Sequence, residues 1–141
     1  MRISSLAKAA AAICIAAGGL TVGAGSAQAA QSCYGSTCNH LNPYKTTCTG
    51  DAIHPYSAPD SNGSVVYLYY SPSCRATWAE TWNAPSGTWI TVQRRNGDVF
   101  SEDWATSAAH TWTGMINDAG YASFAEICPP SGGHCGVTAS Y

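Results

Sequence analysis

The chain has 141 residues and a formal charge of −2, with charged side chains at 10% of positions and aromatic ones at 11%. So sparse and slightly acidic a charge set argues against a nucleic-acid or anionic-membrane partner, because both demand a basic patch. The length allows one domain with a core of modest size.

The first 29 residues have the layout of a secretory signal peptide: Arg2 and Lys8, an apolar run from Ala9 to Ala24, then Ala27-Gln28-Ala29 as a small-x-small cleavage site. The apolar run is short of the roughly 20 residues that span a membrane, and Gly18, Gly19 and Gly23 interrupt it. Cys14 follows the bulky Ile13, which does not suit lipid attachment. The expectation is a secreted, extracellular protein of 112 residues, 30–141, with no membrane anchor. Cleavage leaves Lys45, Arg75, Arg94 and Arg95 against all eight acids, a formal charge of −4.

Six cysteines then remain: Cys33, Cys38, Cys48, Cys74, Cys128 and Cys135. An even count in a short exported chain reads as three disulfides, though spacing alone leaves the pairing open. Three of the six lie in the N-terminal segment, so at least one must pair with Cys74, Cys128 or Cys135. Closing that long a loop is worth roughly 3–4 kcal/mol in the chain-entropy model. A metal site joining His40, His54 or His134 to thiolates suits a reducing compartment instead, and neither a metal nor a cofactor is expected.

Residues 30–64 are polar, rich in Ser, Thr, Asn, Pro and Gly, and show almost no apolar period. They read as an irregular, disulfide-pinned segment that wraps a β-sheet body at 65–141. Asn62-Gly63 marks a turn. Val65-Val66-Tyr67-Leu68-Tyr69-Tyr70 is the strongest strand signal, β-branched and aromatic throughout, and Pro72 ends it. Arg75 to Trp82 alternates and reads as the returning strand, with Ala76, Trp78, Glu80 and Trp82 on one side. A helix over Ser73–Trp82 is the rival, since Cys74, Trp78 and Trp82 also fit a helical period.

Thr88–Gln93 and Val99–Trp104 flank Asn96-Gly97, the strongest short-range hairpin signal. A two-residue loop puts Arg95 opposite Asp98 and Trp89 opposite Trp104. Thr111–Thr113 and Tyr121–Ile127 read as further short strands around an Asn117–Gly120 turn, and Gly136–Tyr141 as a terminal strand. The fold class that follows is all-β: a small disulfide-stapled sandwich or partly open barrel with an irregular N-terminal segment.

Three stretches together carry a family likeness: Cys33-Tyr-Gly-Ser-Thr-Cys38 with Asn42-Pro43 and Cys48–Ala52, then Tyr67–Ala79 with its Tyr-Ser-Pro-x-Cys-x-x-x-Trp pattern, then Trp112–Ala119. They resemble the YjfA-like family, a domain of unknown function exported by Gram-positive bacteria. The likeness runs from about Cys33 to about Cys135. Asn42-Pro43 stands where the family has Asp-Pro, and Tyr67-Leu68-Tyr69 where it has a charged start to the central strand. The resemblance implies a fold and an address, and it carries no catalytic residue.

Chemistry-bearing residues are few. A Ser/His/Asp triad drawn from His54 or His110 with Asp51, Asp103 or Asp118 has no supporting motif. Glu80 and Glu102 are the candidate pair for a glycosidase, although a solvated strand face explains both. The aromatics say more. If Ile90, Val92 and Val99 face inward, Trp89, Phe100 and Trp104 face out beside Gln93, Thr91 and Glu102, as a sugar- or peptide-binding platform would. Alternatively the N-terminal segment covers these rings as a second small core. Domains of this size often cover both sheet faces, which favours the covered arrangement. A Cys128–Cys135 bridge would close a rigid Pro/Gly surface loop.

The expectation for function is a secreted, non-catalytic interaction module, monomeric on its own, that serves as an adaptor subunit or binding protein for a protein partner or a cell-envelope glycan. A small secreted hydrolase and a peptidase inhibitor or antimicrobial protein acting through the 128–135 loop are the alternatives.

Overall fold

The computed structural model describes residues 30, 32–106 and 109–141; the leader read at 1–29 lies outside the described residues. Among these, nine strands form two antiparallel sheets, a sandwich rather than a closed barrel. The strands are β1 (Ile53–Pro59), β2 (Val65–Ser71), β3 (Ala76–Trp82), β4 (Trp89–Arg94), β5 (Phe100–Trp104), β6 (His110–Trp112), β7 (Ile116–Asn117), β8 (Ser123–Cys128) and β9 (Gly136–Val137). The first sheet runs β1-β2-β3-β6, with β7 also on β3, and the second runs β5-β4-β8-β9.

The core lies between the sheets, and alternation builds it. Val66, Leu68 and Ala79 from the first sheet meet Ile90, Val92, Ala125 and Ile127 from the second, with Ile116 and Ala58 completing the cluster. Cross-strand pairs match size across the layer: Leu68 opposes Ala79, and Val92 opposes Ala125. A residue two along any strand returns to the same face, so these positions fix which side chains point outward.

The stretch expected to be wholly irregular contains β1, so the first sheet begins at Ile53 and not at Val65. Pro55 and Pro59 and a largely exposed pattern hid this strand. An edge position tolerates both, because one side of the strand needs no partner. The stretch Ser73–Trp82 is a strand from Ala76 and not a helix. Before β1 the chain makes three short 3-10 turns, Gly35–Cys38, Pro43–Lys45 and Thr47–Asp51.

The β4–β5 register pairs Trp89 with Trp104 and Gln93 with Phe100, as the sequence implies. The turn itself differs. Arg94 N–H donates to Val99 O at 3.1 Å and Gly97 N–H to Arg94 O at 2.9 Å, with Gly97 at φ +73°. That is a wider loop with a glycine in the left-handed region, and it keeps the same pairing sum. Arg94, not Arg95, pairs with Asp98, at 3.0 Å. Its Nε donates to Asn117 O at 2.8 Å and its guanidinium lies 3.7 Å over the Tyr121 ring.

Disulfides join Cys33–Cys38, Cys48–Cys74 and Cys128–Cys135. The second is the cross-link the cysteine count required between the N-terminal segment and the sheet. It packs with Cys38, Ala76, Trp78 and Met115 in a second apolar cluster on the outward face of the first sheet. Asp51 clamps the same junction, accepting from Ser71 Oγ at 2.6 Å and Ser73 N–H at 2.8 Å. The Ser71 hydrogen bond in particular holds the Asp51 carboxyl below its ordinary range. Three bridges place the chain in an oxidising environment. Among the described residues, no helix is long and apolar enough to cross a membrane.

Two stability measurements follow. Replacing Cys48 and Cys74 by Ala opens a loop with a sequence separation of 26, which should cost roughly 3–4 kcal/mol in denaturant melts. A loss no greater than that from opening Cys128–Cys135, separation 7, would contradict the ordering. The second concerns Asp118. It is buried beside Ser123 Oγ at 2.6 Å, and burial outweighs that hydrogen bond and the nearby Arg75 and Arg94, lifting its pKa from 3.8 to about 6. The folded state therefore holds this proton to higher pH than the unfolded chain does. Its contribution to stability is present below about pH 4 and is lost as pH rises through about 6. Asp118→Asn should flatten that part of the pH–stability curve and raise thermal stability at neutral pH; an unchanged slope between pH 4 and 6 would contradict the assignment.

Candidate functional site

The two sheets present very different outward faces. On the first, Tyr67 and Tyr69 of β2, Trp78, Glu80 and Trp82 of β3, and His110 and Trp112 of β6 stand on one side by alternation. The N-terminal segment covers one end of this face. Trp78 is fully buried there. Glu80, only 1% exposed, is the hub of what remains. Tyr44 O–H reaches both its oxygens at 2.8 and 2.9 Å, Trp78 Nε1–H donates to Oε1, and His110 Nε2 lies 2.7 Å from Oε2. A buried carboxylate survives in a sheet only when donors of this kind surround it. Burial first, and the Glu80 hydrogen bond second, hold the Tyr44 phenol well above its ordinary range.

Beyond Glu80 the rings continue to solvent. His110 stacks on Trp82 with centroids 4.3 Å apart and planes 8° from parallel. Tyr67 meets Trp82 edge-on at 5.4 Å, and Tyr44 packs edge-on against Trp112 at 4.8 Å. Trp82 is 40% exposed and borders a cleft of about 420 Å³ lined by Asn62, Ser64, Val65, Tyr67, Asn83 and Pro85.

On the second sheet, Trp89, Thr91 and Gln93 of β4, Phe100, Glu102 and Trp104 of β5, and Phe124 and Glu126 of β8 share the outward side. The covering segment lies on the opposite sheet, so the covered arrangement expected for Trp89, Phe100 and Trp104 is not what the structure shows. Phe100 is 53% and Trp104 51% exposed, while Trp89 is half-buried and donates from Nε1 to Glu102 Oε2 at 3.0 Å. A narrow cleft of about 170 Å³ between β5 and β6 joins Asp103 and Trp104 to His110 and Trp112.

The other candidate residues separate. Glu80 and Glu102 point outward from opposite sheets, so the core stands between them. Glu80 is spent on Tyr44, Trp78 and His110, and Glu102 accepts from Trp89 Nε1–H. Asp51 is committed to Ser71 and Ser73, Asp118 to Ser123, and Asp103 to the Trp104 amide. His54 lies between Tyr67 and Tyr69 on the exposed β1, and His40 and His134 are exposed in loops. The sulfurs of Cys33, Cys38, Cys48 and Cys74 lie within 4.8 Å of one another, but all four are spent in disulfides. The 128–135 loop is bridged and largely exposed, with His134 O accepting from Ser61 N–H at 3.0 Å. The pairing of His110 with Glu80 was missed from the sequence; the only signal was an acid on the same strand face as two tryptophans.

That pairing sets the histidine's tautomer. Indole N–H can only donate, so the Glu80 oxygen facing Trp78 must accept. In Glu80→Gln the amide nitrogen then faces His110, and neutral His110 must move its proton to Nδ1 so that Nε2 accepts. The variant should fold with a loss of about 1 kcal/mol, and nitrogen-15 spectra should show the tautomer change. Retention of the Nε2–H form would contradict this geometry.

A family model described as "Protein of unknown function (DUF2690)" matches residues 36–126, from the first 3-10 turn into β8. No curated protein and no solved structure matches the chain.

Proposed function

The chain belongs to the DUF2690 family of unknown function, and on that footing we propose that it is an exported, non-catalytic interaction module whose second sheet docks a protein partner. The supporting observation is the outward face of that sheet, which no element among the described residues covers, with Phe100 and Trp104 half-exposed beside Glu102 and Glu126. Folding alone favours covering such rings, and exposed aromatics on one sheet face mark interaction surfaces. Glu102 and Glu126 both flank Thr91 across the strands, so the face is acidic at its centre. A partner segment that carries a cation among apolar side chains complements it. The likeness to the YjfA-like proteins of Gram-positive bacteria, the leader-type sequence at 1–29 and the three disulfides agree with export, and an adaptor role suits a chain of this size.

The hydrolase reading rests on one observation, the carboxylate-held His110 beside the narrow cleft. Among the described residues no serine or threonine hydroxyl hydrogen-bonds this histidine, and the aromatic packing around it explains it as structure.

Affinity capture with matched baits tests the docking face. Trp104 is half-exposed, so Trp104→Ala should change thermal stability little, yet weaken capture of the partner from cell-surface fractions by about 2 kcal/mol, the scale of an interface tryptophan. Wild-type and Trp104→Ala baits that retain the same proteins equally, with both folded, would overturn the reading.

A further inference from the structure

The first sheet holds a second recognition feature, distinct from the docking face of the second. The cleft of about 420 Å³ at the β1–β2 turn falls within the ~300–1,000 Å³ range of small-molecule sites. What sets it apart is its lining. The clefts beside Phe100, between β5 and β6, and beside Phe124 include Asp98 and Glu102, Asp103, and Arg95 respectively. The residues lining the cleft at Trp82 carry no formal charge: two rings, Tyr67 and Trp82, stand with the amides of Asn62 and Asn83 and the hydroxyl of Ser64. The rings are 79° apart with 5.4 Å between centroids, and both border the cleft.

Trp82 is also fixed in place. His110 stacks on one indole face, and His110 is itself tied to Glu80, which Trp78 and Tyr44 hold from the other side. A ring already held in one orientation loses little freedom on binding. Asn83, next in the chain, takes φ +55° while its N–H donates to Ala109 O at 2.8 Å, so the chain turns there and Asn83 stays exposed at the cleft.

We infer that this cleft binds an uncharged oligosaccharide of pyranose rings with equatorial hydroxyls. Such a ring has an apolar face of axial C–H groups that packs on an aromatic wall, and an equatorial rim of hydroxyls that exchanges hydrogen bonds with amides. An ionic ligand would find no countercharge in the lining, and an apolar one would leave Asn62 and Asn83 unpaired.

Titration of the intact, disulfide-bonded protein with cellotetraose and with the N-acetylglucosamine tetrasaccharide, followed by nitrogen-15 spectra of the five indole N–H groups, tests this. Saturable shifts should centre on Trp82, with Trp104 unmoved. Asn83→Gly retains the backbone conformation and removes the amide, and should weaken binding roughly tenfold; Trp82→Ala should abolish it, and Trp104→Ala should leave it unchanged. If Trp82→Ala does not fold, Asn83→Gly carries the test. No saturable shift at Trp82 at millimolar concentrations of either sugar, or equal affinity in folded Asn83→Gly, would overturn the inference. Loss of protein capture in Trp104→Ala with sugar binding intact separates this site from the docking face.

Discussion

The Cys48–Cys74 bridge holds a short irregular segment against the outward face of β3, and the asymmetry of the molecule depends on it. β3 is buried on both sides, unlike any other strand of its length here. Its inner side meets the second sheet. Its outer side meets the N-terminal segment together with Met115, and 3-10 turns alone bury too little apolar surface to hold themselves there. A covalent link, the Asp51 clamp and the Glu80 hub together keep the segment in place. With the segment committed to the first sheet, the second sheet's outward face is left open among the described residues.

That division explains how the two faces differ in chemistry. Under cover, a carboxylate has to be satisfied by fixed donors, and Glu80 draws Tyr44, Trp78 and His110 into one cluster. In the open, Glu102 and Glu126 need no such shell, and water serves them. The covered face therefore yields a rigid aromatic array that ends at a neutral cleft, while the open face yields half-exposed rings around an acidic centre. A module that docks a protein on one side and holds a neutral glycan on the other would tether its partner to a polysaccharide surface.

Much of the local architecture was legible because it rests on short-range rules. The β2 strand comes from its β-branched and aromatic run, the β3 strand from alternation and the Trp89–Trp104 register from Asn96-Gly97. The need for one bridge out of the N-terminal segment came from counting. The β1 strand was hidden because its prolines break the usual signal, and only its edge position makes them acceptable. The turn at Gly97 keeps the register of a tighter loop, so pairing did not reveal which residues form it. Least legible were the long-range choices: which sheet the segment covers, and the contact of Glu80 with His110 thirty residues on or of Asn42 with Trp112 at 3.1 Å. Each side chain alone looks like surface, and only the crossover of strands between sheets brings them together.

The central claim is that one outward face is covered and the other is open. Hydroxyl-radical footprinting of the individual tryptophans, before and after opening the Cys48–Cys74 bridge, tests it most directly. The account predicts rapid modification of Trp104 and protection of Trp78 in the intact protein, with Trp78 becoming reactive and Trp104 unchanged once the bridge is opened. Protection of Trp104 in the intact protein, or a Trp78 that reacts as fast with the bridge in place as without it, would contradict the account.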